Sequence, residues 1–242
     1  MTTRLSLAVG LVGAGRMGSF HAETLARRLP GVRLAAVADP APGAARGLAD
    51  RLDCATAYTE IGDLFADPAV DAVVIATPAR THADLVVAAA RAGKAVYCEK
   101  PMATTLADAD RAIAAAAEAG VPLQVGFNRR YDTGFRTAHD KVAAGAIGTP
   151  QLLRSLTRDP KLADPSPIPP WTIFLETLIH DFDTLRYLNP GARTGRGLRP
   201  GRRPGPPRLQ GPRPARHGRR HDPLRQRRPR HRRGQLPGGV RL

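Results

Sequence analysis

The sequence predicts an α/β chain: a doubly wound parallel sheet over residues 1–126, a shorter second part over 127–190, and a tail over 191–242. Three observations carry this. Apolar, strand-like runs alternate with helical stretches up to residue 126, the rhythm of repeated β-α units. The first run, LSLAVGLV, passes directly into Gly13, Gly15 and Gly18, spaced as G-x-G-x-x-G. Finally, the composition changes abruptly at Gly191.

Leu5, Leu7, Val9, Leu11 and Val12 make the apolar run of a parallel strand covered on both faces. Gly13 then permits a tight turn, Gly15 lets the backbone approach a pyrophosphate, and Gly18 lets the next helix pack closely on the strand. Arg16 and Met17 stand inside that turn. A helix from Arg16 to Leu29, stopped by Pro30-Gly31, offers free N–H groups and a positive dipole end to phosphates. This is the Rossmann arrangement for a dinucleotide. Arg4 ahead of apolar residues faintly resembles a signal peptide, but the glycines inside the run favour the strand. The second strand, Val32 to Ala38, ends at Asp39, 21 residues after Gly18. A carboxylate there accepts hydrogen bonds from ribose hydroxyls and repels a 2′-phosphate, which favours NAD over NADP. The plainer alternative is that Asp39 opens the Asp39-Pro40 turn.

The remaining elements follow in order. A helix rich in Ala and Arg reaches Leu52, a short strand spans Ala55 to Tyr58, and a short helix spans Glu60 to Ala66. The fourth strand, Asp71 to Ala76, runs into Thr77-Pro78 and a helix from Thr81 to Ala92. Lys94 to Cys98 form the fifth strand. Thr104 or Thr105 caps a long helix to Ala119, and Val121 to Gly126 form the sixth strand. Loops at the carboxyl ends of such strands carry the site: residues 13–18, 39–43, 76–82, 98–103 and 126–131.

Four segments in that order resemble the Gfo/Idh/MocA family, the glucose-fructose oxidoreductase and inositol dehydrogenase group. They are GAGRMG at 13–18, ATPARTH at 76–82, GKAVYCEKPMA at 93–103 and HDFD at 180–183. GFNRRYD at 126–132 and Arg158-Asp159-Pro160 are most similar to the inositol dehydrogenase branch. The resemblance covers about residues 5–190. It implies an NAD-dependent oxidoreductase that removes hydride from a ring hydroxyl carbon of a cyclic polyol or sugar, with myo-inositol to 2-keto-inositol as the expected reaction. It also implies that Lys100 lies beside the nicotinamide and the reacting hydroxyl, where an ammonium stabilises developing negative charge, and that His180 takes the hydroxyl proton. Glu176 and His180 are four residues apart, so a helix puts both on one face. A carboxylate there would orient the imidazole. The branch carries aspartate at this position, and the extra methylene of Glu176 moves the carboxylate outward. Thr77, Pro78, His82 and Glu99 are implied to line the cofactor, although His82 could equally be a first-turn polar residue. Asn128, Arg129 and Tyr131 could reach cofactor or substrate, or Arg129-Arg130 could be a solvated pair. Asp181 and Asp183 could serve helix packing or capping.

A helix from Asp132 to Ala144, a strand from Gln151 to Thr157 and a stiff Pro-rich loop over 159–170 begin the second part. In the family this domain is a large open α+β sheet, so residues 127–190 read as an incomplete version of it. Homo-oligomerisation, which the family achieves through that sheet, is therefore doubtful.

The formal charge of +16 suggests a nucleic-acid binder at first sight. The imbalance sits entirely in the last 52 residues, which hold 17 arginines and one acid, Asp222, while residues 1–190 balance to zero. The tail contains no Phe, Tyr, Trp or Lys and reads as disordered. An Arg-rich nucleic-acid arm is one reading. The absence of stacking aromatics weighs against it. A reading-frame change near residue 190 explains the tail better, because GC-rich codons read out of frame yield mainly Arg, Pro, Gly and Ala. On that view the chain could be an inactive NAD-binding remnant. Cys54 and Cys98 have no disulfide or zinc spacing, no metal is expected, and no apolar run approaches membrane length, so the cytoplasm is the expected compartment.

Overall fold

The computed structural model describes residues 6–158 and 172–190. The expected Pro-rich loop at 159–170 and the tail at 191–242 lie outside the described residues.

Six strands form one parallel sheet in the order β3-β2-β1-β4-β5-β6: β1 Leu7–Val12, β2 Val32–Ala38, β3 Thr56–Tyr58, β4 Ala72–Ile75, β5 Ala95–Cys98 and β6 Leu123–Val125. The helices between them are α1 Arg16–Arg27, α2 Ala44–Arg51, α3 Ile61–Ala66, α4 His82–Arg91 and α5 Leu106–Glu118. The doubly wound Rossmann expectation is met, each strand falling within two residues of its expected bounds.

Alternation along β1 explains the two covered faces. Val9 and Leu11 point to one side, where Ala22 and Leu25 of α1 and Leu48 and Ala49 of α2 pack. Val12 points to the other, with Leu64 and Phe65 of α3, Val86 and Ala89 of α4 and Ala112 of α5. On that second face a side chain at Gly10 would come within 2.8 Å of Leu64, so glycine lets α3 approach β1. Thr105 caps α5, its Oγ1 accepting the Asp108 N–H at 3.1 Å. From β3 the chain crosses over β1 to start β4. The carboxyl ends of β1 and β4 therefore open a crevice at the switch point, where ligands bind in such sheets.

Among its described residues, the second part has two α-helices. Asp132 caps α6, Thr133–Ala143, by accepting from the Gly134 and Phe135 N–H groups. The last helix is less regular than expected. Ile173–Thr177 is a π turn, with the Leu178 N–H donating to the Ile173 carbonyl, and α7 follows over Ile179–Tyr187. The strand expected over Gln151 to Thr157 does not form. Residues 152–158 belong to no ladder among the described residues, and without a partner an alternating segment has no sheet to join.

Candidate active site

The cleft at the switch point measures about 970 Å³. Its floor is the turn after β1. Gly13 has φ +100°, and a Cβ there would meet the Ala76 carbonyl at 2.7 Å, so the turn touches the end of β4. A Cβ on Gly18 would lie 1.7 Å from the Gly13 carbonyl oxygen, leaving glycine as the residue that fits. A Cβ on Gly15 would meet nothing within 4 Å. That open space faces the N-terminus of α1, which has no side-chain cap, so its N–H groups remain available to an anion. This cradle fits a dinucleotide pyrophosphate.

Asp39 braces the cradle. Its Oδ2 accepts the Ala14 N–H at 2.7 Å and its Oδ1 accepts the Ala41 N–H at 2.8 Å. Each oxygen keeps a further lone pair, so Asp39 can both open its own turn and face a ribose. The two readings of Asp39 left open by the sequence are thus compatible. Arg16, Met17, Thr77 and Pro78 line the same cleft.

His82 is 1% exposed and bridges two loops. Its Nδ1 lies 2.7 Å from the Pro101 carbonyl oxygen and its Nε2 lies 2.8 Å from that of Thr77. The ring reaches the cleft wall, but both nitrogens are occupied by backbone, so it ties the loop after β4 to the loop after β5.

Glu99 and Lys100 follow β5. The Glu99 carboxylate is joined to His21 of α1, Oε1 to Nε2 at 2.7 Å, and its Oε2 accepts the Lys100 N–H at 3.1 Å. Burial opposes ionisation of Glu99. The His21 hydrogen bond and charge, with the Lys100 N–H and ammonium, outweigh it and hold the carboxyl below its usual range. Tyr97 stands edge-on to His21, ring centroids 5.5 Å apart, and burial with the Glu99 charge pushes its phenol up to about 12. The sequence reading missed His21 and Tyr97. Their signals were present: His21 sits three residues after Gly18, one helical turn along α1, and Tyr97 alternates with the buried Val96 and Cys98. Cys54 and Cys98 are both free and buried.

The opposite wall comes from the second part. Lys100 Nζ donates to the Glu176 backbone carbonyl at 3.0 Å, inside the π turn. His180 lines the cleft beside Lys100. Burial lowers the His180 pKa first, and the positive charges of Lys100 and Arg129 lower it further, against Glu99 and Asp181. Its imidazole is therefore an uncharged base near neutral pH. The expected Glu176–His180 pairing needs correction. No hydrogen bond joins the Glu176 carboxylate to the imidazole among the described residues, because the π turn over Ile173–Thr177 breaks the four-residue spacing that would align them. The carbonyl of Glu176, not its carboxylate, does the work seen here.

Asn128 lines the cleft; Arg129 and Tyr131 do not. The Arg129 guanidinium donates to Asp181 Oδ1 at 3.0 Å and to Thr157 Oγ1 at 2.6 Å, and Ser155 also donates to Asp181. Arg130 makes a bidentate pair with Asp183. Tyr131 is exposed and accepts from Gln124 Nε2 at 3.1 Å. Neither arginine is free in solvent or aimed at the cleft: each is paired with an aspartate of α7, although the Arg130 side chain is still 44% exposed. They fasten α7, and the two aspartates answer them, more than mere capping.

A protein-family profile described as an oxidoreductase family with an NAD-binding Rossmann fold, GFO_IDH_MocA, matches residues 7–127. The chain belongs to the Gfo/Idh/MocA oxidoreductase family. NAD is thus the cofactor that the glycine cradle fits. Among relatives, a myo-inositol 2-dehydrogenase of Thermotoga maritima is 40% identical over 186 residues, covering 75% of this chain and 54% of that protein. A scyllo-inositol dehydrogenase of Lactobacillus casei, solved with bound NAD(H) and scyllo-inositol, superposes with a TM-score of 0.71 at 28% identity over 76% of this chain and 56% of that one. A myo-inositol dehydrogenase of the same organism, solved with NAD(H) and myo-inositol, gives 0.71 at 33% identity over 75% and 54%. This chain spans about half the length of the curated relatives it matches.

Proposed function

We propose that this Gfo/Idh/MocA chain is an NAD-dependent dehydrogenase that oxidises a ring hydroxyl of a cyclic polyol to the ketone, with myo-inositol the first substrate to test. The observation that carries the reading is the meeting of Lys100 and His180 in the cleft floored by the glycine cradle. NAD, when bound, supplies the hydride acceptor. His180 takes the hydroxyl proton while the carbon–hydrogen pair leaves as hydride, and the carbon–oxygen bond becomes a carbonyl. The Lys100 ammonium has three donors, one held by the Glu176 carbonyl, so two remain to hold the substrate oxygen and its growing negative charge. Asn128 lines the cleft, which supports a contact with the cofactor or a second hydroxyl. The relatives named above differ in the inositol isomer of their names, so scyllo-inositol belongs in the same assay. No helix among the described residues is long and apolar enough to cross a membrane. Together with two buried free thiols, this supports work in the cytoplasm.

The test mixes the protein with NAD and myo-inositol and follows the near-ultraviolet absorbance of reduced nicotinamide. Lys100→Met should lower kcat by about a hundredfold or more. It should also move the acid limb of the pH profile upward, because burial and then the positive charge of Lys100 hold the His180 pKa low, and the variant removes that charge. Activity that survives in Lys100→Met overturns the assigned roles. A second reading, NAD binding without turnover, is favoured by residues 152–158, which find no ladder partner among the described residues and leave Leu152 and Leu156 exposed. Tight NAD binding with no hydride transfer to any inositol would support it.

A further inference from the structure

We infer that His21 is a positioning residue that keeps the Glu99 carboxylate away from the Lys100 ammonium, leaving that ammonium free to hold a substrate oxygen. The inference rests on the dehydrogenase reading for its consequence, but not for its geometry.

Glu99 and Lys100 are neighbours in sequence and line the same cleft. A carboxylate beside an ammonium in a partly buried site ordinarily pairs with it. Here it does not. Among the described residues Lys100 makes no ion pair, and its Nζ goes instead to the neutral carbonyl of Glu176 at 3.0 Å. The Glu99 carboxylate is turned the other way. Oε1 is taken by His21 Nε2 at 2.7 Å, and Oε2 folds back onto the Lys100 main-chain N–H at 3.1 Å. Both side chains of the His21–Glu99 pair are largely covered, 18% and 13% exposed, so water competes weakly for either.

His21 is itself held. Its ring packs edge-on against Tyr97, at 63° between planes, and against Phe20. α1, which carries it, is fixed by Gly18 and by Ala22, both buried. The contact is therefore rigid at the His21 end and mobile at the Glu99 end, whose side chain has three rotatable bonds. Remove the imidazole, and the freed carboxylate can turn to the ammonium one residue on, whose charge already acts on it. An ion pair there would neutralise the charge that steadies the developing alkoxide and draw the ammonium off the hydroxyl.

A double-mutant cycle of His21→Ala, Glu99→Gln and the double variant tests this, with two readouts on the full chain. The first is the rate at which an acylating reagent labels Lys100, followed by peptide mass spectrometry. It needs neither cofactor nor polyol. His21→Ala should slow labelling on the order of tenfold, as an ion-paired amine stays protonated. The double variant should recover the wild-type rate, because the amide cannot form the pair. The second is turnover with NAD and inositol. His21→Ala should lower kcat by about ten- to a hundredfold with KM for NAD within about threefold. The same substitution made in Glu99→Gln should cost less than about threefold. Labelling unchanged in His21→Ala, or slowed equally whether residue 99 is Glu or Gln, overturns the inference. If the wild-type protein oxidises no inositol, the dehydrogenase reading fails while the labelling arm still decides this one.

Discussion

Every buried apolar side chain among the described residues lies between Ala8 and Ala116, whereas the described residues after 126 bury only Asp181 and Thr184. The sheet half is held by two apolar layers, one on each face. The second part relies on charge and hydrogen bonds: Arg129 to Asp181 and Arg130 to Asp183 fasten α7 within it, and Lys100 reaches across from the sheet half to the Glu176 carbonyl. α6 buries no residue at all. Burial of apolar surface is non-directional and survives salt, while ion pairs are directional and pH-dependent. The cofactor floor should therefore be far more robust than the wall that brings His180 to it.

The largest expected effect is in the floor. In Gly18→Ala the new methyl would sit on the Gly13 carbonyl, backbone that cannot step aside. We expect a loss of about 3 kcal/mol in urea unfolding. Gly15→Ala is the control. It has open space and ordinary φ, so stability should change by less than about 0.5 kcal/mol. NAD affinity should nevertheless fall about tenfold by fluorescence titration, as one charge-assisted contact to the pyrophosphate is lost. Equal stability losses in both variants would break the account of the turn.

The wall is tested by Arg129→Ala, which leaves the buried Asp181 without its cation while Ser155 and Thr157 still donate to it. We expect about 2 kcal/mol, confined to the second part. Amide hydrogen exchange should speed up in α7 while β1 and β4 keep their protection. If both regions lose protection together, the division between them is wrong. Acid does the same without a mutation. Burial disfavours the Asp181 carboxylate, but Ser155, Thr157 and Arg129 outweigh it and hold its pKa below the usual value. A group depressed in the folded state contributes above its unfolded pKa, about 3.9, and loses that contribution as pH falls through the lower folded value. Protection of α7 should thus be full at neutral pH and fail below about pH 4.

The same contrast explains what could be read from the chain. The succession of strands and helices along the chain, the glycine turn and the place of Asp39 at the end of β2 were legible because apolar period and fixed spacing are local signals, written within a few residues. Lys100 and His180 were legible as motif positions. The targets of Arg129 and Arg130 were not, because a pair 52 or 53 residues apart leaves no mark on either segment. The π turn was equally hidden: the run Ile173–Thr177 is compatible with an α-helix, and nothing in its composition marks the wider turn. Residues 151–157 show the converse failure. Their alternation is a genuine strand pattern, but pattern describes a segment and pairing needs a second one.

The smallest effect separates the two arginines. Arg130 is about half exposed, its side chain at 44%, and its bidentate pair with Asp183 lies near solvent, the guanidinium resting 5.4 Å from the centre of the Tyr187 ring. Exposed pairs contribute at most about 1 kcal/mol and are screened by salt. Arg130→Ala should therefore weaken α7 protection less than Arg129→Ala does. It should also flatten the salt dependence. In the wild type, raising sodium chloride ought to speed exchange in α7 and leave β1 untouched, since β1 is covered by apolar layers on both faces. In Arg130→Ala the exposed pair is already gone, so added salt has less left to screen. Arg129, with its side chain only 22% exposed and Asp181 at 6%, is shielded from added ions. A salt response that persists unchanged in Arg130→Ala would mean that the buried pair, not the exposed one, is what ions reach, and that the wall is more open to solvent than its packing indicates.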